Sequence, residues 1–311
     1  MSKPKVIAVV GPTASGKSAL GIYLAQHLRV GAGLAKKLGG EVISADSRQV
    51  YKGLDIGTGK VTKREMQGVP HHLLSIASPK KQFSADDFVK KAERACSNIL
   101  QNNRIPIVVG GTGFYIDALL GRLSLPNVPP NPKLRAQLEK KSVEALYAML
   151  KQKDRARAKT IEPKHKRRII RALEIIEILG VVPSINDLRG RLYDVLWLGL
   201  SPAPATLKKN IHKRLLARIK SGMIAEAKKL HNPPAGGGLS YKRMEELGLE
   251  YRYLARLLQN KITKKEFEVE LEREINKYAK RQMRWFKRNK DIRWIKSQTE
   301  ALRLVKEFFN Y

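Results

Sequence analysis

This 311-residue sequence contains one cysteine, few acidic residues and no long apolar run. The single cysteine, Cys96, excludes an intrachain disulfide and a cysteine-rich zinc site, which favours a reducing compartment. Apolar runs such as VIAVV and VLWLGL are too short to span a bilayer, and the N-terminus carries no secretory signal. We therefore expect a cytoplasmic protein that does not associate with membranes.

Acidic residues are scarce relative to basic ones, with 28 Asp and Glu against 61 Lys and Arg and a formal net charge of +33. Such a charge opposes compact folding by self-repulsion unless a polyanion neutralises it, and nucleic acid is the obvious polyanion. Basic residues cluster at 151–171 and 280–296, which predicts a cleft lined by cations from two sides. A generally basic composition without a nucleic-acid ligand is the alternative.

An apolar strand at residues 5–10 leads into GPTASGKS, a pattern typical of phosphate-binding loops. Gly11 and Gly16 permit backbone angles that a side chain forbids, so the amides of the loop can point at phosphate oxygens. Lys17 would contact the outer phosphate, and the Ser18 hydroxyl would bind Mg²⁺. A glycine-rich turn without a ligand is the alternative. The residues predicted to bind a di- or triphosphate are Gly11, Pro12, Thr13, Ala14, Ser15, Gly16, Lys17 and Ser18.

The order of predicted elements indicates an α/β fold, in which a P-loop NTPase-like parallel sheet is flanked by helices and interrupted by an all-helical domain. Strands are predicted at 5–10, 41–45, 105–109, 193–200 and 292–296. Helices are predicted from Lys17 and at 84–101, 113–120, 133–152, 164–179, 205–231 and 241–290. We accordingly divide the chain into a core domain, 1–122 and 189–311, and a helical insertion, 123–188.

Glycine-rich segments mark two further features of the chain. Between Lys17 and Glu41 we interpret the pattern as a helix, a break near residues 30–33 and a second short helix. The sequence NPPAGGG at 232–238 predicts a mobile loop between two helices, because three successive glycines disfavour a packed element.

Polar residues follow two predicted strands, whose carboxyl ends meet at the sheet edge that carries the phosphate loop. Asp46 follows the strand 41–45 and could act as a general base, as an outer-shell ligand of a metal, or as the cap of a turn. Ser47 and Gln49 could read the edge of a base. Thr112 follows the strand 105–109 and reaches the same edge.

Two other groups have both a structural and a functional interpretation. No other His or Cys is suitably spaced to form a metal site with His71 and His72, so a structural role or a substrate contact is favoured over zinc. Trp285 lies among cations and could stack on a base, or it could face the core while the neighbouring arginines face solvent. Both interpretations of Trp285 stay open at this point.

Six motifs occur in a fixed order along the chain: GPTASGKS, ISADSRQVYKGLDIGTGK, VPHHLLSI, IVVGGTGFYIDALL, RRIIRALEI and AKRQMRWFKR. In this combination the chain resembles the tRNA dimethylallyltransferase (tRNA delta(2)-isopentenylpyrophosphate transferase) family along nearly its whole length. The resemblance implies transfer of a dimethylallyl group from dimethylallyl diphosphate to the N6 amine of the adenosine on the 3′ side of the anticodon in tRNA. Diphosphate would be released, with Mg²⁺ as the cofactor.

The resemblance also implies roles for individual residues. The catalytic residues would be Asp46, Lys17 and Thr13, with Asp46 as the general base on the adenine amine. The protein would act as a monomer, and its helical insertion would contact tRNA. The implied tRNA-binding residues are Asp46, Ser47, Arg48, Gln49, Thr112, Arg135, Arg167, Arg168, Ile169, Ile170, Arg171, Tyr241, Lys242 and Arg281. The chain departs from the family in a longer segment between Lys17 and Asp46 and in the sequence at 240–243.

Other functions share parts of this pattern. An enzyme that prenylates free adenine nucleotides would use the same loop and base but would not need two basic segments. A small-molecule kinase would transfer phosphate from ATP, so labelled ATP and labelled dimethylallyl diphosphate would distinguish the two activities. A non-catalytic RNA-binding protein would tolerate replacement of Asp46 by alanine.

Overall fold

The computed structural model describes residues 3–30, 37–183, 192–233 and 236–310. Its contacts divide the chain into two compact units. The first, which we call the core unit, comprises Met1–Leu120 and Arg191–Tyr311, and the second, the helical unit, comprises Gly121–Gly190. The insertion predicted at 123–188 lies just inside the limits of the helical unit.

Parallel strands form the centre of the core unit. The strands are β1 Lys5–Val10, β2 Arg29–Val30, β3 Lys37–Leu38, β4 Gly40–Ser44, β5 His71–His72, β6 Ile105–Gly110, β7 Asp194–Leu200 and β8 Arg293–Ile295. Among the described residues, six of these strands form one parallel sheet in the order β5-β4-β6-β1-β7-β8. The apolar run of β6 is buried along its whole length, as expected for a strand covered on both faces. The predicted α/β fold is confirmed.

Helices pack against both faces of this sheet. The helices of the core unit are α1 Lys17–His27, α2 Lys63–Met66, α3 Ala85–Gln101, α4 Gly113–Leu119, α9 Pro204–Lys220, α10 Met223–His231, α11 Tyr241–Leu247, α12 Leu249–Leu258, α13 Lys264–Phe286 and α14 Gln298–Phe309. Val6 and Ala8 of β1 pack with α3 and α4, whereas Ile7 and Val9 pack with α1 and α14. Within the described ranges, no helix combines the length and the apolar character that a membrane crossing requires.

The long basic helices predicted at 205–231 and 241–290 are interrupted. Helix α9 ends at Lys220, and Gly222 begins α10 as its N-cap. The φ of 98° at Gly222 is readily adopted by glycine and costly for other residues. A second break at Gly248 separates α11 from α12. Thr263 then begins α13 with a capping box to Glu266. The breaks allow the shorter helices to pack around one shared apolar cluster instead of extending into solvent.

The helical unit contains short helices around its own apolar core. Its described residues form α5 Pro132–Glu139, α6 Val143–Lys153, α7 Arg155–Ala158 and α8 Lys166–Leu179. Leu146 and Leu150 of α6 pack against Leu173 of α8. The helix predicted at 133–152 is interrupted before α6, because Ser142 caps α6 by accepting a hydrogen bond from the Ala145 N–H.

The segment after α1 differs from the prediction. Strand β3 pairs antiparallel with β2, so a second short helix is wrong at Lys37–Leu38. The Gly39 N–H donates to the Leu28 carbonyl at 2.8 Å and closes the pair. The other residues of the predicted break and helix, 31–36, lie outside the described residues.

The glycine-rich segment 232–238 separates α10 from α11, as predicted. Residues 234–235 lie outside the described residues. The Leu239 N–H donates to the Leu230 carbonyl at 2.8 Å, and the ring of His231 stacks on Tyr241 with centroids 3.9 Å apart. These contacts hold the two ends of the loop together. Its mobility stays a prediction.

Candidate active site

The phosphate loop, Gly11–Ser18, connects β1 to α1 at the carboxyl edge of the sheet. Gly16 lies at the N-cap of α1 with φ 93°, and Ala14 also has a positive φ of 60°. Among the residues that the structure describes, no side chain caps α1, so the first amides of this helix are left to bind a ligand. Such amides, together with the helix dipole, favour an anion at this position.

Lys17 lies inside this loop. Its Nζ donates to the Pro12 carbonyl at 2.5 Å, which holds the ammonium group against the loop. Burial, and to a smaller extent the charge of Arg214, lower the pKa of Lys17 to about 7, although the charge of Asp46 opposes both effects. A phosphate bound here would supply the negative charge that stabilises the protonated lysine.

Two adjoining cavities share residues of the phosphate loop. The larger cavity, of about 730 Å³, is lined by Ala14–Ser18 together with residues that include Tyr23 and Lys213. The smaller cavity, of about 80 Å³, is lined by Lys17, Asp46, and other residues from several elements. The residues that line both are Lys17, Ser18, Val61 and Arg214. The loop and the carboxylate of Asp46 therefore face a common space.

Asp46 is oriented by its own backbone turn. Its Oδ1 accepts hydrogen bonds from the N–H groups of Arg48 at 2.8 Å and Gln49 at 3.2 Å. Within the described part of the chain, Oδ2 accepts no hydrogen bond. The side chain thus caps a turn, as one of the three sequence interpretations proposed, and keeps a second oxygen that could take a proton.

Thr112 fixes the backbone next to Asp46. Its Oγ1 accepts a hydrogen bond from the Ser47 N–H at 3.1 Å, and its side chain also hydrogen-bonds Tyr278. Burial and the charge of Asp46 together raise the pKa of Tyr278 to about 12. As predicted, Thr112 reaches the sheet edge occupied by Asp46.

Sequence reasoning missed Gln282, which joins the phosphate loop to the end of β6. Its Oε1 accepts from the Thr13 N–H at 2.8 Å, and its Nε2 donates to the Gly111 carbonyl at 2.9 Å. A Cβ on Gly111 would lie 2.2 Å from that amide nitrogen, so the glycine allows α13 to approach. Gln282 follows Tyr278 by one helical turn, and this spacing could have indicated that both side chains face the site.

Arg214 of α9 was also missed. Its guanidinium donates to the Gly59 carbonyl at 2.8 Å and to Thr13 Oγ1 at 3.5 Å. The Gln49 Nε2 donates to the same carbonyl at 3.3 Å. Gly59 thus links a cation beside the phosphate loop to a polar residue beside Asp46. No local motif around Arg214 indicated this role.

Glu226 of α10 anchors the loop that carries Gly59. Its Oε2 accepts from the N–H groups of Asp55 at 3.0 Å and Ile56 at 2.7 Å. Its Oε1 accepts from the Gly57 N–H at 2.9 Å and from the Tyr251 hydroxyl at 2.6 Å. One carboxylate therefore satisfies four donors and fixes the backbone that positions Gly59.

We expect Glu226→Gln to lower the free energy of unfolding by about 2 kcal/mol, because an amide cannot accept four hydrogen bonds and carries no charge. The Michaelis constant for the substrate held by the phosphate loop should rise as well, since the Gly59 carbonyl would no longer be fixed. Urea unfolding and steady-state kinetics measure the two effects. The exposed Glu177 provides a matched Glu→Gln control, and equal behaviour of the two variants would contradict the anchoring role.

The predicted tRNA-binding residues of the core unit differ in their exposure. Lys242 and Arg281 are exposed, and Arg281 lies over the Tyr278 ring at 5.8 Å. Tyr241 is half-buried by its stack on His231, so only part of its ring is accessible. The backbone N–H of Arg48 donates a hydrogen bond to Oδ1 of Asp46 at 2.8 Å.

In the helical unit, Arg135 and Arg171 both bind the buried carboxylate of Glu174. Arg135 Nε and Arg171 Nη1 donate to it at 2.7 and 3.1 Å. Burial raises the pKa of Glu174, but hydrogen bonds from Arg135, the Asn131 backbone and Arg171 outweigh this and lower it overall. The two arginines therefore stabilise this unit, while about a third of each side chain stays accessible.

The structure corrects the prediction for Ile169 and Ile170. Both side chains lie in the apolar core of the helical unit and are at most 3% exposed, so they cannot contact tRNA in this structure. On a helix, Arg167 and Arg168 turn to the opposite side, and both are exposed. The motif RRIIR therefore combines a solvent-facing pair with a core-facing pair.

The two histidines and Trp285 have defined contacts. His71 lines the smaller cavity and its Nδ1 hydrogen-bonds the Val69 carbonyl at 2.8 Å. His72 Nε2 pairs with the buried Glu41 at 2.6 Å, which is a structural contact. Trp285 is half-buried against the core, and its Nε1 donates to Asp117 at 2.8 Å. This favours the packing interpretation of Trp285.

Comparisons with known proteins agree along most of the chain. The family model described as IPP transferase matches residues 49–289, and the model described as isopentenyl transferase matches residues 4–91. A tRNA dimethylallyltransferase of Carboxydothermus hydrogenoformans is 39% identical, covering 97% of this chain and 95% of its own length. The tRNA dimethylallyltransferase 2 of Treponema denticola is 40% identical, covering 92% of each chain.

Solved structures show the same likeness. The full-length tRNA isopentenylpyrophosphate transferase of Bacillus halodurans superimposes with a TM-score of 0.69 at 34% identity, covering 99% of this chain and 96% of its own. A eukaryotic dimethylallyltransferase, crystallised acting on tRNA, superimposes with a TM-score of 0.83 at 26% identity, covering 99% and 80%. The likeness therefore extends over nearly all of this chain.

Proposed function

This chain belongs to the tRNA dimethylallyltransferase family, and from this premise we infer that it transfers a dimethylallyl group to tRNA. The acceptor is the N6 amine of the adenosine on the 3′ side of the anticodon, and the donor is dimethylallyl diphosphate. One observation carries the assignment: the anion-binding loop and the carboxylate of Asp46 line the same cavity. That arrangement suits a reaction in which a diphosphate leaves as a nucleophile loses a proton.

The phosphate loop binds the leaving group. The free amides at the start of α1 and the Nζ of Lys17 face the position of the diphosphate, and Arg214 adds a second cation. As the C–O bond of the donor breaks, its electron pair stays on the diphosphate oxygen. Fixed positive charges stabilise that developing charge more than they stabilise the bound donor, which lowers the barrier.

Asp46 acts on the acceptor. An exocyclic adenine amine is a poor nucleophile, so loss of its proton must accompany formation of the C–N bond. The Oδ2 of Asp46 accepts this proton, while the two backbone hydrogen bonds to Oδ1 keep the carboxylate oriented. The target base must leave its stack to reach this cavity.

Ser18 is the residue that would hold Mg²⁺. Its side chain is exposed at the start of α1 and lines both cavities, which fits an ion that takes one or two protein oxygens and completes its shell with phosphate and water. When bound, the ion would neutralise charge on the diphosphate. Thr13, the hydroxyl residue among the predicted catalytic residues, is held by Gln282 and Arg214 and so shapes the loop.

Exposed cations on both units supply the electrostatic surface for tRNA. Lys242 and Arg281 belong to the core unit, and Arg167 and Arg168 belong to the helical unit. A net charge of +33 favours association with a polyanion of this size. We further propose that the protein acts in the cytoplasm. We also propose that it acts as a monomer, because the loop, Asp46 and Arg214 all lie in one core unit.

We expect Arg281→Ala to weaken tRNA binding and to reduce the slope of log Kd against log salt concentration by about 1, the change for one lost phosphate contact. Arg168→Ala should behave in the same way. Filter binding over a range of salt concentrations measures the slope. Lys90→Ala is the control, since Lys90 is paired with Asp86 at 2.8 Å and its charge is already compensated. If all three variants keep the slope of the wild type, neither arginine contacts a phosphate of the tRNA.

Mass spectrometry of tRNA nucleosides tests the proposed reaction. Unmodified tRNA is incubated with the protein, Mg²⁺ and dimethylallyl diphosphate, and a new isopentenyl-adenosine peak is expected. Prenylated AMP without modified tRNA would assign the enzyme to the free-nucleotide class instead. Phosphate transfer from labelled ATP, with no prenyl transfer, would identify a kinase.

A further inference from the structure

Phe114 is an apolar ring exposed beside the proposed site. It lies in the first turn of α4, directly after the Gly-Gly-Thr-Gly segment that ends β6, and 41% of its surface is accessible. The next apolar residues of α4, Tyr115 and Ile116, are buried in the core. The exposure of Phe114 therefore places a large apolar surface in water with no benefit to the isolated fold.

The ring of Phe114 rests on a fixed support. It meets Trp285 edge-to-face, with centroids 6.2 Å apart and planes at 78°. Trp285 is itself held by the hydrogen bond to Asp117 and by the guanidinium of Arg288, which lies 4.0 Å from its ring centroid. The edge of the Trp285 ring thus contacts Asp117 and one of its faces contacts Arg288, whereas the Phe114 ring is exposed.

This aromatic group adjoins the acceptor side of the site. Thr112, two residues before Phe114, accepts the hydrogen bond from the Ser47 N–H next to Asp46. The C-terminal part of α13, which carries Trp285, and the residue that caps this helix together present three exposed cations. These are Arg281, Arg284 and Lys287.

The surroundings indicate the chemistry of the occupant. An exposed ring that packs on Trp285, in a basic stretch of chain with several exposed cations, suits a ligand that combines flat apolar faces with negative charge. Single-stranded RNA has both. An apolar protein surface would leave these cations without partners. The ring is also held in place by Trp285, so little conformational entropy is lost when a base stacks on it.

With tRNA as the substrate, on which this inference rests, we propose that Phe114 stacks on an unpaired base of the anticodon loop next to the target adenosine. Phe114 thereby positions that adenosine for Asp46. Trp285 and Arg288 support the ring, and the neighbouring cations contact the backbone. Phe114 is then a positioning residue that acts through the RNA and contributes no charge to the reaction.

The test measures binding of an anticodon stem-loop by the intact protein. We expect Phe114→Ala to raise Kd about tenfold, the effect of losing one base–aromatic stack, and Phe114→Tyr to restore it. Because stacking involves no phosphate contact, the salt slope of Phe114→Ala should equal that of the wild type. A 2-aminopurine placed next to the target adenosine should lose fluorescence on binding to the wild type and keep it with Phe114→Ala.

Val269→Ala is the matched control, since Val269 is a 63% exposed apolar residue near the start of α13, at the opposite end of the helix from Trp285. An unchanged Kd for Phe114→Ala, an equal rise for Val269→Ala, or equal quenching in wild type and variant would each overturn the proposal. The binding assay needs no turnover, and product formation by the wild type tests the proposed reaction itself. Failure of the stacking proposal can therefore be distinguished from failure of the proposed reaction.

Discussion

Replacing Asp46 by asparagine should lower kcat by about 10²–10⁴-fold, the loss typical of a general base, and should leave tRNA affinity close to that of the wild type. Asparagine keeps the Oδ1 atom that accepts from the N–H groups of Arg48 and Gln49, so the turn survives. It replaces Oδ2, the oxygen available to take the adenine proton, by an amide nitrogen that cannot accept one. Single-turnover assays with saturating enzyme measure the rate of the chemical step.

The same assay on Asp86→Asn provides the control, because Asp86 is an exposed surface residue paired with Lys90. We expect wild-type turnover in this variant. Asp46→Ala removes both the base and the turn, so it should lose tRNA affinity in addition to rate. Wild-type kcat in Asp46→Asn would exclude Asp46 as the base and leave only its role in the turn.

Replacing Lys17 by alanine should lower kcat/KM for dimethylallyl diphosphate by about 10²–10³-fold, the usual loss for one preorganised group that stabilises a developing negative charge. The ammonium group is held on the Pro12 carbonyl inside the phosphate loop, so its charge is preorganised toward the leaving group. Steady-state kinetics with varied donor at saturating tRNA measure the effect. The affinity for an anticodon stem-loop should change little, because the proposed contact of Lys17 is with the diphosphate and not with the tRNA.

Lys213→Ala is the matched comparison for Lys17→Ala. Lys213 is a neighbouring cation that lines only the larger cavity, next to Arg214 on α9. We expect a loss of less than about tenfold in this variant, in the range for a solvated charge. Similar losses in the two variants would mean that general positive charge, and not the position of Lys17, accounts for donor binding.

Most of the fold could be predicted because its signals are local. Buried parallel strands are continuous apolar runs, and β1, β6 and β7 all have this form. The helix limits were less predictable. Ser142, Gly222 and Gly248 interrupt patterns whose apolar spacing continues across them, and α14 was not predicted although Ser297 and Glu300 mark its start. In these cases packing around a shared core determined where each helix ends.

The site was predictable in part, for the same reason. The phosphate loop uses consecutive residues, and Asp46 follows a strand that places it at the sheet edge. Arg214, Gln282 and Glu226 were not found, since their contacts with the loops around the site span 155 to 269 positions of sequence. Ile169 and Ile170 were misassigned because a motif identifies a segment, whereas burial distinguishes the faces of its helix.

The sequence by itself determined the α/β class, the anion-binding loop and the carboxylate after β4, because each depends on residues that are adjacent in the chain. Only the tertiary structure decided that the loop and Asp46 share a cavity of about 80 Å³, that a distant glutamine and arginine complete its walls, and that the Phe114 ring is exposed against Trp285. These features arise when segments far apart in sequence pack together, and no local pattern encodes which side chains that packing buries.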